Sequence, residues 1–450
     1  MKEITALPLN PTVPFSPFVS DYKNFGGVAV ATTFNGWVPE TNAWKNSCYI
    51  SGNLSGLMAM HTVKGKDAEK LMNENFVNNF STMKVGTGRH GIMVTKNGNI
   101  IEHGMVIRLA EDEFGTYAFH PFINFIANSG KYDVERIEER GFIDFIYQIA
   151  GPKSLEILEN AAEEDFHDLK FMRFMTATIA GHPVRIIRMG MGGTISYEVH
   201  GILDDSHDVY NKIVEVGTAY GIEKLGWLSY QCNHTENGFP QIGQHFPYPF
   251  DEEPGFGVYQ KEIGFLFDPL LLPTLGSLSD DMHDYYRNPI ELGWGHMVKF
   301  DHDFNGREAL EKIAARPHRQ VVTLVWNSED IIDLYASNFR KGEKKYKQFP
   351  LPFDQNGNGF GNAQDRVLDQ DGKMIGASMQ PIYTAHYQEV ISLCVIEPEY
   401  AQIGTEITVV WGNKNDPKKN IRAIVGRYPY LDLTSNQDYD LNSIPRFQKK

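Results

Sequence analysis

Glu102 and His103 stand side by side in GNIIEHGM, just past a turn. A carboxylate next to an imidazole near a cleft can work as an acid–base pair at neutral pH. On an exposed hairpin the same dipeptide does nothing. Asp301, His302 and Asp303 crowd a second place, KFDHDFNG, where two carboxylates and a histidine imitate a metal site. Neighbours on a strand point to opposite sides, so these three do not converge on one ion. With Glu291 and Lys299 they read as a buried ion network, and no metal is expected. Glu198, in RMGMGGTISYEVHG, follows a glycine-rich turn into a strand, and on that pattern alone it is a surface carboxylate. Tyr230, in GWLSYQCNHTENG, reads unaided as a packed ring with a satisfied hydroxyl.

The elements that position these residues follow from apolar spacing. Residues 91–109 are a hairpin signal, with apolar runs on either side of Lys96-Asn97-Gly98-Asn99. Residues 67–77 and 152–162 have helical spacing, the second with Pro152 in its opening turn. Residues 141–150 read as a strand and 177–188 as two strands about a Gly-His-Pro turn. Residues 207–221 form an amphipathic helix with Val209, Ile213, Val216 and Tyr220 on one face. Asn305-Gly306 marks a tight turn before a short helix at 307–313, while 293–300 fits either a strand or a buried loop. Residues 1–39 form an irregular arm, and 241–284 a long irregular loop of the kind that is often functional. Beyond 320 the texture turns to strands and hairpins, including the turn at 369–373, and the tail after Tyr430 reads as less ordered. The spacing by itself gives α+β followed by β.

Bulk properties bound the function. With 450 residues, 42% hydrophobic and 22% charged, the chain can build substantial cores. A net charge of −15 with no offsetting basic block argues against nucleic acid as a partner. Three scattered cysteines, Cys48, Cys232 and Cys394, point to a reducing compartment without disulfides. No window reaches the roughly 18 apolar residues of a membrane span, and no secretory leader is visible. A cytoplasmic protein acting on a small molecule, with no membrane partner, is expected.

The run PIELGWGHMVKFDHDFNGREAL, at 289–310, resembles the PxExGxGxxVKFDHDFxGRxAL segment of the folate-dependent aminomethyltransferase (glycine-cleavage T-protein, GcvT-like) superfamily. Further resemblance touches 44–47, Phe171, 179–181, 188–201, 226–238, 322–327 and 334–339. Within the superfamily the chain looks most similar to the tetrahydrofolate-dependent aromatic O-demethylases. The resemblance implies a three-lobed cloverleaf around a central folate channel, with a folate-binding and catalytic region at 1–315 and a barrel-like β domain at 316–450. It implies tetrahydrofolate as cofactor, with Glu198 anchoring the pterin by paired hydrogen bonds. Phe171, Arg188, Phe239 and Tyr286 are the further cofactor-site residues expected. Tyr230 then faces the substrate and stabilises charge on a departing aryloxide.

Departures from the pattern bear on the substrate. Leu57 stands where the demethylases carry a histidine, and Phe119, beside His120, where they carry an arginine. Their N-terminal tyrosine pair has no counterpart at 25–28. Glu102-His103 occupies the region where many relatives have an acidic residue. The expected reaction is transfer of a methyl group from a methoxylated aromatic compound to N5 of tetrahydrofolate. One alternative is a lyase that releases formaldehyde from a hydroxymethyl aromatic, with Glu102, His103, His120 and Tyr230 as candidate acid–base groups. The other is a folate-binding module without turnover.

Overall fold

The structure is a computed structural model that describes residues 7–449 apart from 26, 56–58, 140, 142, 266 and 355–359. Leu57 lies outside the described residues. A six-stranded sheet, a four-stranded sheet and a C-terminal barrel surround the interior.

The six-stranded sheet runs in the order Ile222–Lys224, Cys48–Ser51, Asp144–Ala150, Ser196–Ile202, His182–Ile187, Phe174–Ile179. Its alternation decides which side chains meet. Tyr197 and Val199 join Phe145, Tyr147 and Ile149 under helices Ser154–Ala162 and Ser206–Gly217, in a fully buried cluster. Burying each such side chain is worth about 1.5–3 kcal/mol. The intervening residues Ser196, Glu198 and His200 turn to the other face, and pairing sets Gln148 and Ile187 beside Glu198.

That face looks towards the four-stranded sheet, ordered His61–Lys64, Glu113–Thr116, Ile100–Ala110, Thr87–Val94. Met105, Ile107 and Tyr117 from this side pack against Ile146 and Ile187 from the other. Gly104 is required at the centre, because a Cβ there would lie 2.2 Å from the Tyr117 carbonyl. The expected 91–109 hairpin is present as Thr87–Val94 and Ile100–Ala110, with an irregularity at Met93/Val94.

The C-terminal strands close on themselves. The order Ala363–Leu368, Met374–Thr384, Glu389–Ile396, Gln320–Trp326, Lys419–Gly426, Glu406–Trp411 returns to Ala363–Leu368 through Val367–Val409 pairing. A closed barrel leaves no free edge. Arg287, 1% exposed, ties this barrel to the rest: its guanidinium donates to Gln364 Oε1 and to the Asp284 and Tyr286 carbonyls.

Several local expectations change. The arm before residue 39 contains a hairpin, Tyr22–Phe25 with Val28–Ala31. The stretch 241–284 holds a helix, Pro254–Glu262, which opens on proline and buries Phe256 against Phe122. Residues 290–297 form helical turns rather than a strand, because Gly293 takes φ 79° and breaks extension. The tail is packed, not loose: Leu441 and Ile444 join the core under the six-stranded sheet. His167 Nε2 meets the Ile444 carbonyl at 3.0 Å and helps pin it there.

Candidate active site

Glu198 sits at the centre of the interior face of the six-stranded sheet, 7% exposed. One carboxylate oxygen accepts from Gln148 Nε2 at 3.2 Å, and the other from His200 Nε2 at 2.9 Å. A carboxylate oxygen only accepts here, so His200 carries its proton on Nε2 and its Nδ1 accepts from the Tyr117 hydroxyl at 3.0 Å. Arg185 Nη1 donates in turn to that hydroxyl at 3.3 Å. The chain of donors runs one way and ends on Glu198. Gln148 Oε1 is buried and has no donor among the described residues.

Tyr230 approaches from the helix Trp227–Glu236, every residue of which is buried. Burial, then the nearby Tyr49 hydroxyl and Glu198, pushes its phenol well above the ordinary tyrosine range. Burial, together with Cys48 and Glu198, raises Tyr49 in the same way. Both rings therefore keep their protons and can donate. The helix is fixed at its far end by Lys45, whose ammonium donates to Glu236 at 2.6 Å and to the Thr41 carbonyl at 2.7 Å. Both side chains of this ion pair are almost wholly buried.

Next to Tyr230 lies a group of neutral histidines. His234 donates Nδ1–H to the Tyr230 carbonyl at 3.0 Å, which leaves Nε2 as a buried lone-pair acceptor. Burial brings His234 down to about 4. His103 accepts the Ile242 N–H on Nε2 at 3.1 Å, so its Nδ1–H faces His90 Nε2 at 3.1 Å. Burial, then the neighbouring His90, His234 and His245, holds His103 far below the usual range. His245 accepts the Gln241 N–H at 3.0 Å and reaches Thr235 Oγ1 at 3.1 Å with its other nitrogen. Phe239 walls this group, with ring centroids 5.8 Å from His103 and 5.5 Å from Trp294.

The expected residues thus separate. Glu198 and Tyr230 come together, and Phe239 faces the same interior. Glu102 and His103 do not form an acid–base pair. They are consecutive on a strand, so Glu102 turns towards Tyr248 on the opposite face, where burial raises it well above the carboxylate range. His103 has both nitrogens committed. His120 stacks on His61 at 4.6 Å and is lowered by burial to about 4. Phe119 fills a core with Phe76 and Phe114. Arg188 turns away from Glu198, donating to Asn436 and to the Leu169 and Tyr439 carbonyls. Tyr286 is buried with its hydroxyl on Asp251. Phe171 is partly exposed on the turn before strand Phe174–Ile179.

The expected ion network at 301–303 lies at the surface, with Asp301 and Asp303 exposed and Asp303 paired to Arg307 at 2.7 Å. Glu291 is the buried member, and it pairs with Arg319 at 2.8 Å. Sequence reasoning passed over Gln148, His200, Tyr117, Tyr49, His234 and His245. Two of them were readable, since Gln148 is the lone uncharged polar residue in DFIYQIA and His200 shares the face of Glu198 by period two.

A buried carboxylate with an adjacent unpaired amide oxygen suits a flat heterocycle rich in N–H donors, and the closed barrel and paired sheets frame it. These features fit a folate-type one-carbon transferase. Residues 20–248 match the family model described as the GCVT N-terminal domain, and the chain belongs to that family. It is 40% identical to the sesamin methylene transferase of a Sinomonas species over 434 residues, covering 93% of this chain and 94% of that protein. It is 31% identical to the syringate O-demethylase of a Sphingobium species, covering 89% and 90%. The glycine cleavage system aminomethyltransferase T from Bartonella henselae has the same fold, with TM-score 0.67 over 94% of this chain and 96% of that one at 15% identity. The protein is an enzyme of tetrahydrofolate-dependent one-carbon transfer. The residues present fit that cofactor: Glu198 and Gln148 Oε1 would offer acceptors to a pterin edge, and Tyr49 a donor. Among the described residues no helix is long and apolar enough to cross a membrane.

Proposed function

We propose that this enzyme cleaves an aryl ether and delivers the ether carbon to N5 of tetrahydrofolate. That carbon is the methyl of a methoxy group or the methylene of a methylenedioxy ring. The relative named for methylene transfer, at 40% identity, favours the methylenedioxy ring over the methoxy group. Tetrahydrofolate, when bound, supplies the lone pair that takes the carbon. The chain supplies position and help for the leaving group. Glu198 and Gln148 hold the pterin. For a methoxy group one C–O bond would break as one bond to N5 forms; for a methylenedioxy ring both C–O bonds would break as bonds to N5 and N10 form. In each case the displaced nitrogen protons would end on the phenolic oxygens that keep the bonding electrons, and Tyr230 would donate its hydroxyl hydrogen bond to the first oxygen to leave. Phe239 and Trp294 keep water from the reacting carbon.

The observation that carries this reading is a buried phenol, held protonated by its burial, near the buried carboxylate of Glu198. The lyase alternative needs a base on a hydroxymethyl group, and the arrangement of its four candidates speaks against it: Glu102 faces away, His103 has both nitrogens committed, His120 is stacked on His61 and Tyr230 is held protonated.

The test uses methylenedioxybenzene and methoxyphenol substrates labelled with carbon-13 at the ether carbon, with and without tetrahydrofolate, followed by NMR. The expected result is label in the folate product and release of a catechol or phenol, only when folate is present. Labelled formaldehyde formed at the same rate without folate would contradict the proposal.

A further inference from the structure

Residues 431–446 touch both halves of the interior site in turn. The Leu431 N–H donates at 2.8 Å to the carbonyl of Glu236, the last residue of the helix that carries Tyr230. Further on, Asn436 bridges the Ser196 carbonyl and Arg188 behind Glu198. Arg188 also donates to the Asn436 and Tyr439 carbonyls, at 2.7 and 3.2 Å. Leu441 and Ile444 then sink into the core under the six-stranded sheet. The regular structure of this stretch is a helical turn, Leu441–Ser443, so side-chain anchors hold most of it in place.

The far anchor is a histidine surrounded by acceptors. His167 Nδ1 lies 2.8 Å from Glu159 Oε1 and 3.2 Å from Asp165 Oδ1, and its Nε2 lies 3.0 Å from the Ile444 carbonyl. Glu159 Oε1 also accepts the Phe166 N–H at 2.7 Å, and Asp165 Oδ1 the His167 N–H at 2.9 Å. A carbonyl oxygen only accepts, so Nε2 must carry a proton. Burial raises Asp165, but the His167 N–H and Arg446 outweigh it and hold the carboxyl below its ordinary range, so Nδ1 must carry a proton as well. Only imidazolium has two N–H groups. Burial by itself lowers His167, yet the Ile444 carbonyl, Glu159 and Asp165 together hold it above the ordinary histidine value. Burial raises Glu159 against the pull of Phe166 and His167. Two other groups complete the surroundings: Arg446, paired to Asp165 and Asp168 at 3.0 and 2.9 Å, and Tyr197, near Glu159, whose phenol is pushed up by burial.

We infer that residues 431–446 are a strap held by a proton: His167 clamps it as imidazolium, and loss of that proton frees it from the strand of Glu198 and the helix of Tyr230. A neutral ring has to turn a lone pair either to the Ile444 carbonyl or to the two carboxylates, and both choices repel. Histidine in the unfolded chain titrates at about 6.5, and His167 in the folded protein titrates higher. The hold on the strap is therefore complete below about 6.5 and is lost as pH rises through the folded value. Release also takes the Asn436 and Tyr439 acceptors from Arg188, which is buried. The two ends of the site then loosen together.

The experiment is backbone hydrogen exchange read by mass spectrometry between about pH 6 and 9, corrected for the intrinsic rate at each pH. In the unmodified protein, protection over 436–446 is expected to stay level below about 6.5 and then to fall about tenfold, the worth of one charge-assisted hydrogen bond. Strand Ile100–Ala110 should show no such step. Arg446→Gln, at a solvent-facing position, should lower protection at every pH and leave the step in place. Glu159→Gln should move the step to lower pH, and His167→Gln should remove it. If these two buried changes prevent folding, exchange of the imidazole C2 proton in the unmodified protein reads the His167 titration directly, and it is expected above the free-histidine value. Flat protection of 436–446 across the range, a step that persists in His167→Gln, or a His167 titration at or below about 6.5 would overturn the inference.

Discussion

The two ends of the interior site are built by different means. Around Glu198 the polar groups sit on adjacent strands, their spacing fixed by register, and donors from Arg185 through Tyr117 and His200 converge on one carboxylate. Around Tyr230 they sit on one buried helix, the loop after it and, for His90 and His103, the two strands of the facing hairpin. There His234 Nε2, Asn233 Nδ2 and Glu236 Oε1 are buried without partners among the described residues, and so is the side-chain amide of Gln380 on the facing barrel strand. Strand register makes a cheap and rigid frame, suited to a cofactor that is the same in every turnover. A helix held by one ion pair and lined with unused acceptors and donors suits a varying substrate that completes the hydrogen bonding when it arrives.

The comparison breaks most easily at the ion pair. Lys45→Met leaves Glu236 buried and unpaired, and is expected to cost about 3–5 kcal/mol of stability in urea titration. The double variant Lys45→Met/Glu236→Leu should recover most of it. Glu198→Gln attacks the strand end: it keeps the shape but loses charge-assisted hydrogen bonds, so folate should bind about a hundredfold more weakly by calorimetry, with the melting temperature little changed.

Acid separates the ends by a different route. Burial lowers His90 and His234 to about 4, and His103 and His245 also lie below the free-histidine value. These rings stay neutral in the folded protein while the unfolded chain gains protons below about 6.5. Stability from them is complete above that pH and is lost as pH falls from 6.5 towards 4. The urea midpoint should therefore drop steeply over this window, and His234→Gln should shallow the drop. The smallest effect concerns the brace behind Glu198. Asn436 Nδ2 donates to the Ser196 carbonyl at 2.8 Å, two residues before Glu198, and its Oδ1 accepts from Arg188. Asn436→Ala should cost about 1 kcal/mol and weaken folate binding only slightly.

The strand end was legible in Glu198 by resemblance, since its pattern alone reads as a surface carboxylate, and in an alternation that was there to be read. Glu198 follows a glycine turn into an alternating strand, and the same alternation puts His200 beside it. The helix end was legible only in Tyr230, by resemblance. The histidines there depend on contacts between residues far apart in the chain, such as His103 with the Ile242 N–H, and no local pattern encodes these. Glu102-His103 misled for a related reason: adjacency in sequence on a strand means opposite faces in space. Arg188 and the tail misled because a polar C-terminal segment reads as solvated until Asn436, Leu441 and Ile444 are seen buried against the sheet.

The account turns on a division of labour between the two ends, and Tyr230→Phe tests it most directly, with folate affinity and single-turnover rate measured on the same preparation. The predicted result is unchanged folate affinity with a rate on the labelled aryl ether reduced about 10²–10³-fold, the loss typical of one leaving-group donor. A variant that binds folate as poorly as Glu198→Gln, or that turns over at the unmodified rate, would contradict it.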